Sequence, residues 1–351
     1  MHLSKEQERL LDGEMGQYKA WAMEALVSLG DMADSERLIP IESAHIPDWD
    51  ISGRRSLLSS LTLDDLVVPT SLNPGRPLVD VQASDVFRVR SCTPYLCGQR
   101  VVKGSSVAWG GRAACAFVNS ALGARSGIET FDSALAAAIT GLTPERPLHM
   151  SSGRESTIAV AEASSVEPLR LGEAISRHLP GHVPLLCGVR FGMGAFKGIS
   201  FAINSRNSIP LFHTSASPEI PRGLEHVSAI DLVEEMEPRQ DGDLLILGCP
   251  HLSEQEVNRW ARLVADRYPT IEVWSFISSL CDDKSPKTGT VLRSCGRVFV
   301  DRCPLSLIEE MRGRKVICNS PALATCLCDK GADAFWISDA EVEKVMLGRG
   351  L

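Results

Sequence analysis

The sequence predicts an α/β protein in which parallel or mixed sheets are flanked by helices. A chain of 351 residues with 44% hydrophobic residues is long enough to bury more than one core. From about residue 227 onward, short apolar runs alternate with amphipathic runs, which is typical of a parallel sheet covered by helices. The character of the chain also changes near residue 150. We therefore expect an N-terminal helical and α/β part, a mixed α/β part and a C-terminal β/α domain, over residues 1–150, 151–226 and 227–351.

The N-terminal part should begin with a long helix. Ser4 and Gln7 have the spacing of a capping box, and Gly30 ends the amphipathic run that follows, so one helix over residues 5–29 is expected. The run "RLIPIESAHI" predicts a short strand. "SLLSSLTLDDLVVPTSLNPG" predicts a helix, a strand and a turn, and "DVFRVRSCTPY" predicts a strand that ends at a cysteine. Tightly packed buried helices are predicted from "GRAACAFVNSALGAR" and "TFDSALAAAITGL".

The two later parts are predicted as strands and helices in alternation. In the middle part, "STIAVAEA", "GISFAIN" and "PLFHTS" have the composition of strands, and "PLRLGEAISRHL" that of a helix. In the C-terminal part, Ser253 and Glu256 predict a capping box at the start of a helix, and Gly331 ends a later helix. The strands expected in this part are "DLLILG", "IEVWSFISS", "RVFVD", "KVICNS" and "ADAFWIS".

The composition argues against several classes of partner and compartment. The formal net charge of -8, without a block of Lys or Arg, offers no basic surface to nucleic acid or to anionic membranes. The N-terminus lacks the apolar core of a signal peptide, and no run of about eighteen apolar residues occurs, so we expect a cytoplasmic protein. Eleven cysteines, an odd number, predict reduced thiols that fill the core or bind metal.

Three cysteines directly follow predicted strands. Cys92 comes after "VFRVRS", Cys249 after "DLLILG" and Cys303 after "RVFVDR". Because ligands of open α/β sheets bind outside the carboxyl ends of the strands, these thiols can converge although they are far apart in sequence. Three thiolates with an open fourth position suit an iron-sulfur cluster or mononuclear iron acting as a Lewis acid on a hydroxyl group, the chemistry of a hydro-lyase. Zinc remains an alternative metal.

Polar residues beside the predicted strands are candidates for catalysis or substrate binding. His45 could bind substrate or orient water, or simply pack, and Asn73 could act in the site or only form its turn. His251 could donate to a substrate carboxylate or form a helix-start turn. Asn319 and Ser320 could form an anion site with helix amides or an N-cap. We assign His45, Asn73 and Ser320 to catalysis and the other two to substrate binding.

Asn119, Ser120 and Arg125 form a further candidate group at the end of a small-residue helix. Arg125 could hold a substrate carboxylate in a bidentate fork, or it could compensate the charge of the helix C-terminus. We assign all three residues to substrate binding. The glycine-rich segment 188–198 lacks the glycine and lysine spacing of known nucleotide-binding loops, so nucleotide binding is not expected there. The other cysteines are expected to be packing residues.

An ordered series of motifs resembles the aconitase X family, which is related to the catalytic domains of aconitase. The resemblance runs from the opening helix and "ESAHI" over most of the chain, and single motifs are less specific than their order. The later motifs are "TSLNPG", "SCTPY", "AWGGRAACAFVNSALGAR", "LAAAITGLTPERPLH", "LGCPHLS", "VFVDRC" and "VICNSPALA".

The resemblance implies a metal held by Cys92, Cys249 and Cys303 and the dehydration of a small hydroxy acid. Known substrates of the family are cis-3-hydroxy-L-proline in bacteria and mevalonate 5-phosphate in archaea. The composition is not that of a hyperthermophile, which favours the first. Family members complete the site with a swivelling domain that supplies a proton-abstracting Ser. No segment after Ile337 is long enough for that domain, so we expect a separate small subunit, without which this chain is inactive.

The chain departs from the family pattern at three places. Trp109 is followed by "GGR" instead of a run containing a carboxylate, Arg125 is followed by "SGI" instead of Thr-Asn-Arg, and Ser320 is followed by "PA" instead of Gly-Lys. These departures are consistent with a different substrate. They are equally consistent with a catalytically divergent or zinc-binding paralogue that is not an enzyme.

Overall fold

The computed structural model describes residues 1–47, 61–75, 87, 89–234, 242–265 and 269–348. No α-helix in these ranges is long and apolar enough to cross a membrane. The α-helices are α1 Lys5–Leu11, α2 Gln17–Met32, α3 Arg112–Ser120, α4 Phe131–Thr140, α5 Pro168–His178, α6 Met193–Ala202, α7 Ala229–Leu232, α8 Glu254–Val264, α9 Ser279–Lys284, α10 Pro286–Cys295, α11 Pro321–Cys328 and α12 Asp339–Met346.

The strands of the described residues form four sheets. They are β1 Leu38–Pro40, β2 Ala44–Ile46, β3 Thr70–Leu72, β4 Ser106–Trp109, β5 Arg125–Ser126, β6 Leu142–Pro144, β7 Ile158–Ala161, β8 Pro184–Cys187, β9 His213–Ser215, β10 His226–Ser228, β11 Leu244–Leu252, β12 Glu272–Ile277, β13 Arg297–Val300, β14 Lys315–Cys318 and β15 Asp333–Trp336. Short 3-10 helices are Leu63–Asp65, Pro94–Leu96, Pro147–His149, Ser152–Arg154, Ala163–Ser165 and Pro304–Met311.

The N-terminal helix differs from its prediction. The capping box of Ser4 is confirmed, but the expected single helix is wrong, because α1 and α2 are separated by a turn. Gly13 and Gly16 in this turn have φ angles of 81° and 104°, a region that favours glycine and interrupts a right-handed helix. Gly30 lies inside α2, where a Cβ atom would come within 1.7 Å of Cε of Met1, so close packing explains this glycine.

The N-terminal sheet has the strand order β3-β2-β4-β5, and its neighbouring strands are parallel. Helix α4 packs beside β2 and β4 with an alanine-rich buried face, as the sequence predicted for this run. Of the predicted strand before the first cysteine, residues 85, 86 and 88 lie outside the described residues, and Arg90 forms a bridge with Leu72. The predicted helix near residues 56–60 lies outside the described residues.

The middle sheet is parallel, with the order β10-β7-β8-β9. The strand predicted from "GISFAIN" is wrong, since this run lies mostly in helix α6. Its buried residues Ile199 and Ile203 are spaced for one face of a helix, and the local apolar composition concealed that period. Strand β10 spans the predicted boundary at residue 226 and pairs with β7.

The C-terminal sheet confirms the predicted β/α alternation. Its five strands are all parallel, in the order β13-β12-β11-β14-β15. One face packs on α8 through Val257 and Trp260, and the other contacts α11 through Leu323 and Leu327. Together these sheets confirm the predicted architecture of parallel sheets flanked by helices. Two of the candidate thiols lie near the carboxyl ends of these strands: Cys249 in the later part of β11 and Cys303 just after β13. The carboxyl end of β14 lies at the same edge of the sheet.

Candidate functional site

Three cysteine-bearing turns define the candidate site. Cys92 lies just after the bridge at Arg90, and Cys303 lies between β13 and the 3-10 helix Pro304–Met311. Cys249 lies within β11 at a register shift, where the pairing with β12 stops and resumes five residues later. The turn before it requires glycine, because a Cβ atom on Gly248 would lie 2.3 Å from the carbonyl oxygen of Phe276. All three cysteines are partly buried.

The electrostatics of the thiols indicate that they are neighbours. Burial raises the pKa of Cys92 to about 12, and the negative charge of Cys303 acts in the same direction. Burial also raises the pKa of Cys249 well above its ordinary value, with further contributions from Cys303 and Cys92. The charge of Cys303 thus makes ionisation of both Cys92 and Cys249 harder, which is the situation that a bound cation relieves.

The donor chemistry of this site fits a soft metal, although its geometry is open. Cys92, Cys249 and Cys303 supply sulfur ligands of the kind that iron, iron-sulfur clusters and zinc prefer. Within the described ranges, no group of three His, Cys, Asp or Glu side chains is arranged closely enough to hold a metal ion. The structure thus brings the three predicted thiols into one neighbourhood without closing a coordination sphere.

His251 lies among the three turns and is almost fully buried, with 1% of its surface exposed. Its main-chain N–H donates to Sγ of Cys92 at 3.2 Å. Nε2 of its ring donates to the carbonyl of Arg302 at 2.8 Å, and Nδ1 lies 3.2 Å from the hydroxyl of Ser91. Burial lowers the pKa of His251 to about 4, so the ring is neutral at pH 7 and Nδ1 accepts from Ser91. Both ring nitrogens are used inside the protein.

A cavity of about 180 Å³ adjoins Cys249. Asn319 and Ser320, two of the sequence candidates, line it at the carboxyl end of β14. Ser320 is the N-cap of α11, where its Oγ accepts from the amide of Leu323 at 3.2 Å. The hydroxyl hydrogen remains able to point into the cavity, so the capping role and a role towards a ligand are compatible. We refer to this space as the thiol cavity.

Lys197 is a lining residue of the thiol cavity that the sequence analysis missed. It lies on α6 with only 5% of its surface exposed, and its Nζ is 2.5 Å from Oε2 of Glu256. Glu256 also accepts from the amide and hydroxyl of Ser253, forming the predicted capping box of α8. Predicting a helix over residues 193–202 would have placed a lysine on a largely buried helix. A buried lysine indicates a charge that is paired or functional.

His45 and Asn73 lie at the carboxyl end of the N-terminal sheet. Ser71 donates to the side-chain oxygen of Gln99 at 2.6 Å, so Nδ1 of His45 must donate to Ser71, 2.9 Å away. Nε2 of His45 then carries a lone pair that has no hydrogen-bond partner in the described part of the chain, and the same is true of Oδ1 of Asn73. Burial lowers the pKa of His45 to about 3, which keeps its ring neutral. Nε2 faces Gly111 at the start of α3.

Asn119 and Ser120 form bonds within the protein at the end of α3. The side chain of Asn119 donates to the carbonyls of Ser126 and Pro210 and accepts from Ser126 and Arg154. Ser120 accepts from the amide of Phe212 at 2.9 Å. These contacts join the N-terminal part to the middle part of the chain.

Arg125 lies apart from the cysteines. It opens β5 and donates to the main-chain carbonyl of His149. Together with Ser106 and Glu145 it lines a second cavity of about 420 Å³, which we call the arginine cavity. The cysteines are not among the residues that line this cavity. The predicted site residues therefore fall into more than one location.

Comparisons with known proteins agree with the resemblance of the motifs. The family model described as "Aconitase X first domain" matches residues 1–83 and 78–152. The chain is 30% identical to the phosphomevalonate dehydratase large subunit of Methanothermobacter thermautotrophicus, over 90% of this chain and 91% of that protein. It is 27% identical to the cis-3-hydroxy-L-proline dehydratase of Pseudomonas aeruginosa, over 77% of this chain and 55% of that protein.

A solved structure matches almost the whole fold. The crystal structure of Thermococcus kodakaraensis aconitase X in its holo-form superposes with a TM-score of 0.81 and 26% sequence identity. The match covers 99% of each chain. The arrangement of parallel sheets described above is therefore shared over its full extent.

Proposed function

Because this chain belongs to the aconitase X family, we propose that it is the large subunit of a hydro-lyase that dehydrates a small hydroxy acid. The observation that carries this proposal is that the hydrogen bonds of His251 join the segments of Cys92, Cys249 and Cys303, and that Cys249 lines the thiol cavity. Three sulfur ligands leave a coordination position open, and polar side chains suited to an anionic substrate lie next to it.

We propose that Cys92, Cys249 and Cys303 hold an iron-sulfur cluster or mononuclear iron. When bound, iron would supply a Lewis acid for the hydroxyl group that leaves the substrate. The chain itself would bind and orient the acid. In the thiol cavity, Lys197 offers N–H donors to a carboxylate, while the hydroxyl of Ser320 and the amide of Asn319 offer weaker, directional bonds. The lone pair of His45 would accept a hydrogen bond from the substrate or from water.

Two features of the chain favour different substrates. The lining of the thiol cavity combines Lys197 with the carboxylates of Glu167, Glu256 and Asp339. Such a lining suits a zwitterion whose carboxylate faces the lysine and whose ammonium faces the acids, which favours cis-3-hydroxy-L-proline. The second candidate is mevalonate 5-phosphate, favoured by the greater overall similarity to phosphomevalonate dehydratase large subunits.

We propose that a small swivelling-domain subunit completes the enzyme. The large-subunit names of the relatives support a second chain, and dehydration requires a base that removes a proton from carbon while hydroxide leaves as water. A Ser of the small subunit would be this base. We also propose a cytoplasmic complex, which the eleven cysteines of the sequence support, because an odd number is typical of thiols kept reduced. Substrate binding by Asn119, Ser120 and Arg125 remains a prediction for the same complex, although the position of Arg125 at the amino end of β5 favours a role in the fold.

Anaerobic purification of the complex, followed by assays of iron, sulfide and zinc, tests this proposal. We expect iron in the complex and loss of water from cis-3-hydroxy-L-proline, measured beside its stereoisomers and mevalonate 5-phosphate. Dehydration of mevalonate 5-phosphate alone would establish the second substrate. Zinc, or no metal, together with no turnover of any hydroxy acid would instead identify a paralogue that is not an enzyme.

A further inference from the structure

His251 connects the three chain segments that carry the candidate metal ligands. Its amide bonds the sulfur of Cys92, while its ring bonds Ser91 on one side and the carbonyl of Arg302 on the other. Ser91 and Arg302 each directly precede one of the three thiols, and His251 follows the third by two residues. Arg302 lies 51 positions from His251 in the sequence, and Ser91 lies 160 positions from it. One buried side chain therefore links three distant segments of the chain.

The bonds of His251 continue into the turn of the first thiol. The hydroxyl of Ser91 lies 2.9 Å from that of Thr93 and also accepts from the amide of Thr93 at 3.1 Å. Ser91 itself is fully buried, and its amide donates to the carbonyl of Leu72 in β3. The turn around Cys92 is thereby tied both to the N-terminal sheet and to the imidazole.

We propose that His251 is a positioning residue that holds the three cysteine turns together for metal binding, instead of a residue that contacts substrate. Its ring is 1% exposed and both nitrogens already have protein partners, so a substrate could reach it only by breaking these bonds. The inference rests on the proposed function in one respect, namely that the three thiols bind a metal. Groups that orient metal ligands in this way typically change metal affinity by about 10- to 100-fold when they are removed.

Two substitutions of His251 separate positioning from packing. His251→Leu removes both ring bonds, whereas His251→Gln keeps a side-chain donor that can reach the carbonyl of Arg302. Ser91→Ala removes the other bond without changing the buried ring. The matched control is His182→Leu, because His182 bonds Thr157 in the middle part of the chain, away from the thiols. The melting temperature of each variant verifies that it folds.

The first measurement uses metal-free protein. A short bifunctional thiol reagent is applied to the chain, and mass spectrometry measures the yield of products that join Cys92 to Cys249 or Cys303. We expect His251→Leu to lower this yield several-fold, while His182→Leu retains the wild-type yield. This readout depends on the relative positions of the thiols and needs neither iron nor activity.

The second measurement titrates the complex with Co²⁺ and follows the sulfur-to-cobalt charge-transfer absorbance. We expect affinities about 10- to 100-fold weaker for His251→Leu and intermediate losses for His251→Gln and Ser91→Ala. Folded His251→Leu protein with wild-type cross-linking and wild-type cobalt affinity would overturn the inference, and so would a higher KM with both readouts unchanged. If His251→Leu and His251→Gln lost cobalt affinity equally and Ser91→Ala lost none, His251 would be a packing residue and the inference would fail.

The outcomes also separate this inference from the proposed function. If the wild-type complex binds neither iron nor cobalt, the proposed function fails, while a His251-dependent yield of cross-linked thiols still supports the positioning role. If the wild-type complex binds iron but His251→Leu binds it equally well, the proposed function stands and the inference fails.

Discussion

The thiol cavity and the arginine cavity differ in the ends of the parallel strands that line them. The thiol cavity is lined by residues at the carboxyl ends of β11 and β14, including Cys249 and Ser320. The arginine cavity is lined by Ser106 and Arg125, the first residues of β4 and β5. Parallel sheets bind ligands outside their carboxyl ends, so the difference favours the thiol cavity as the reaction site.

The two cavities also use their charged groups differently. In the thiol cavity Lys197 is almost fully buried and pairs with one side chain, Glu256, beside other polar groups that face the same space. In the arginine cavity Arg125 donates to the main chain of His149, which is a role in fixing a loop. Charges in the thiol cavity should therefore control turnover, and charges in the arginine cavity should control stability.

The largest effect expected is the loss of the metal from the thiol site. Cys92→Ala removes one of three proposed sulfur ligands, and we expect the anaerobically purified complex to lose its iron. Cys97→Ser is the matched control, because Cys97 is buried five residues away and is expected only to pack. Iron content and the visible spectrum measure both variants. Equal iron content in Cys92→Ala and the wild type would mean that Cys92 is not a metal ligand. The thiol cavity would then no longer differ from the arginine cavity by a metal site.

The second prediction concerns Lys197. Lys197→Met removes the ammonium partner of Glu256, whose carboxylate is partly exposed and keeps its bonds to Ser253, so we expect a loss of about 1–3 kcal/mol of unfolding free energy. In the double variant Lys197→Met/Glu256→Gln both charges are absent and glutamine can still serve the capping box. We expect the double variant to recover stability but not activity.

The activity readout for Lys197 is kcat/KM of the two-subunit complex. Loss of a hydrogen bond from a charged donor to the substrate should lower it by about tenfold to a hundredfold in both variants. A double variant that regains wild-type kcat/KM would mean that Lys197 serves only the fold. Chemical denaturation of both variants provides the stability comparison.

The C-terminal sheet was predictable because each of its strands is a short apolar run followed by a turn signal. The same logic placed Cys303 correctly after β13, but it placed Cys249 after its strand, whereas β11 continues to Leu252 and Cys249 lies inside it. The position of His251 between Ser91 and Arg302 was not predictable, because it depends on three distant segments meeting in space. Contacts of this kind leave no local pattern in a single sequence.

Two failures of the sequence analysis have local causes. Lys197 was overlooked because its segment was interpreted as a glycine-rich loop followed by a strand, although Ile199 and Ile203 repeat with helical spacing. Arg125 was expected at the end of the small-residue helix, whereas the chain turns after α3 and Arg125 becomes the first residue of β5. Because of this turn, Arg125 lies at the amino end of a strand and not at the end of a helix.

The third prediction tests the arginine cavity through pH. Burial, together with the positive charge of Arg146, lowers the pKa of His149 to about 4 from an ordinary value near 6.5. The unfolded chain therefore binds a proton before the folded chain does, and the stabilising contribution is present above pH 6.5 and is lost as the pH falls to 4. The difference corresponds to a free energy on the order of 3 kcal/mol.

His149→Asn removes this titration. The asparagine oxygen can replace Nδ1 as the acceptor for the amide of Arg146, so the fold of the loop is retained. We expect the unfolding free energy of the wild type to fall more steeply between pH 6.5 and 4 than that of the variant, as measured by urea denaturation at several pH values. Parallel curves for the two proteins would contradict a neutral, buried His149.

The smallest effect is expected for Arg125. Arg125→Met removes the donor to the carbonyl of His149, and we expect a loss of about 1 kcal/mol of unfolding free energy, measured by denaturation. Because Arg125 lies at the amino end of its strand, kcat/KM should change much less than in Lys197→Met. Arg9→Met, which breaks an exposed pair with Glu14, is the control for the loss of a surface charge. A rise in KM as large as that of the Lys197 variant would identify Arg125 as a substrate-binding residue, as its position after the small-residue helix predicts, and would erase the functional difference between the two cavities.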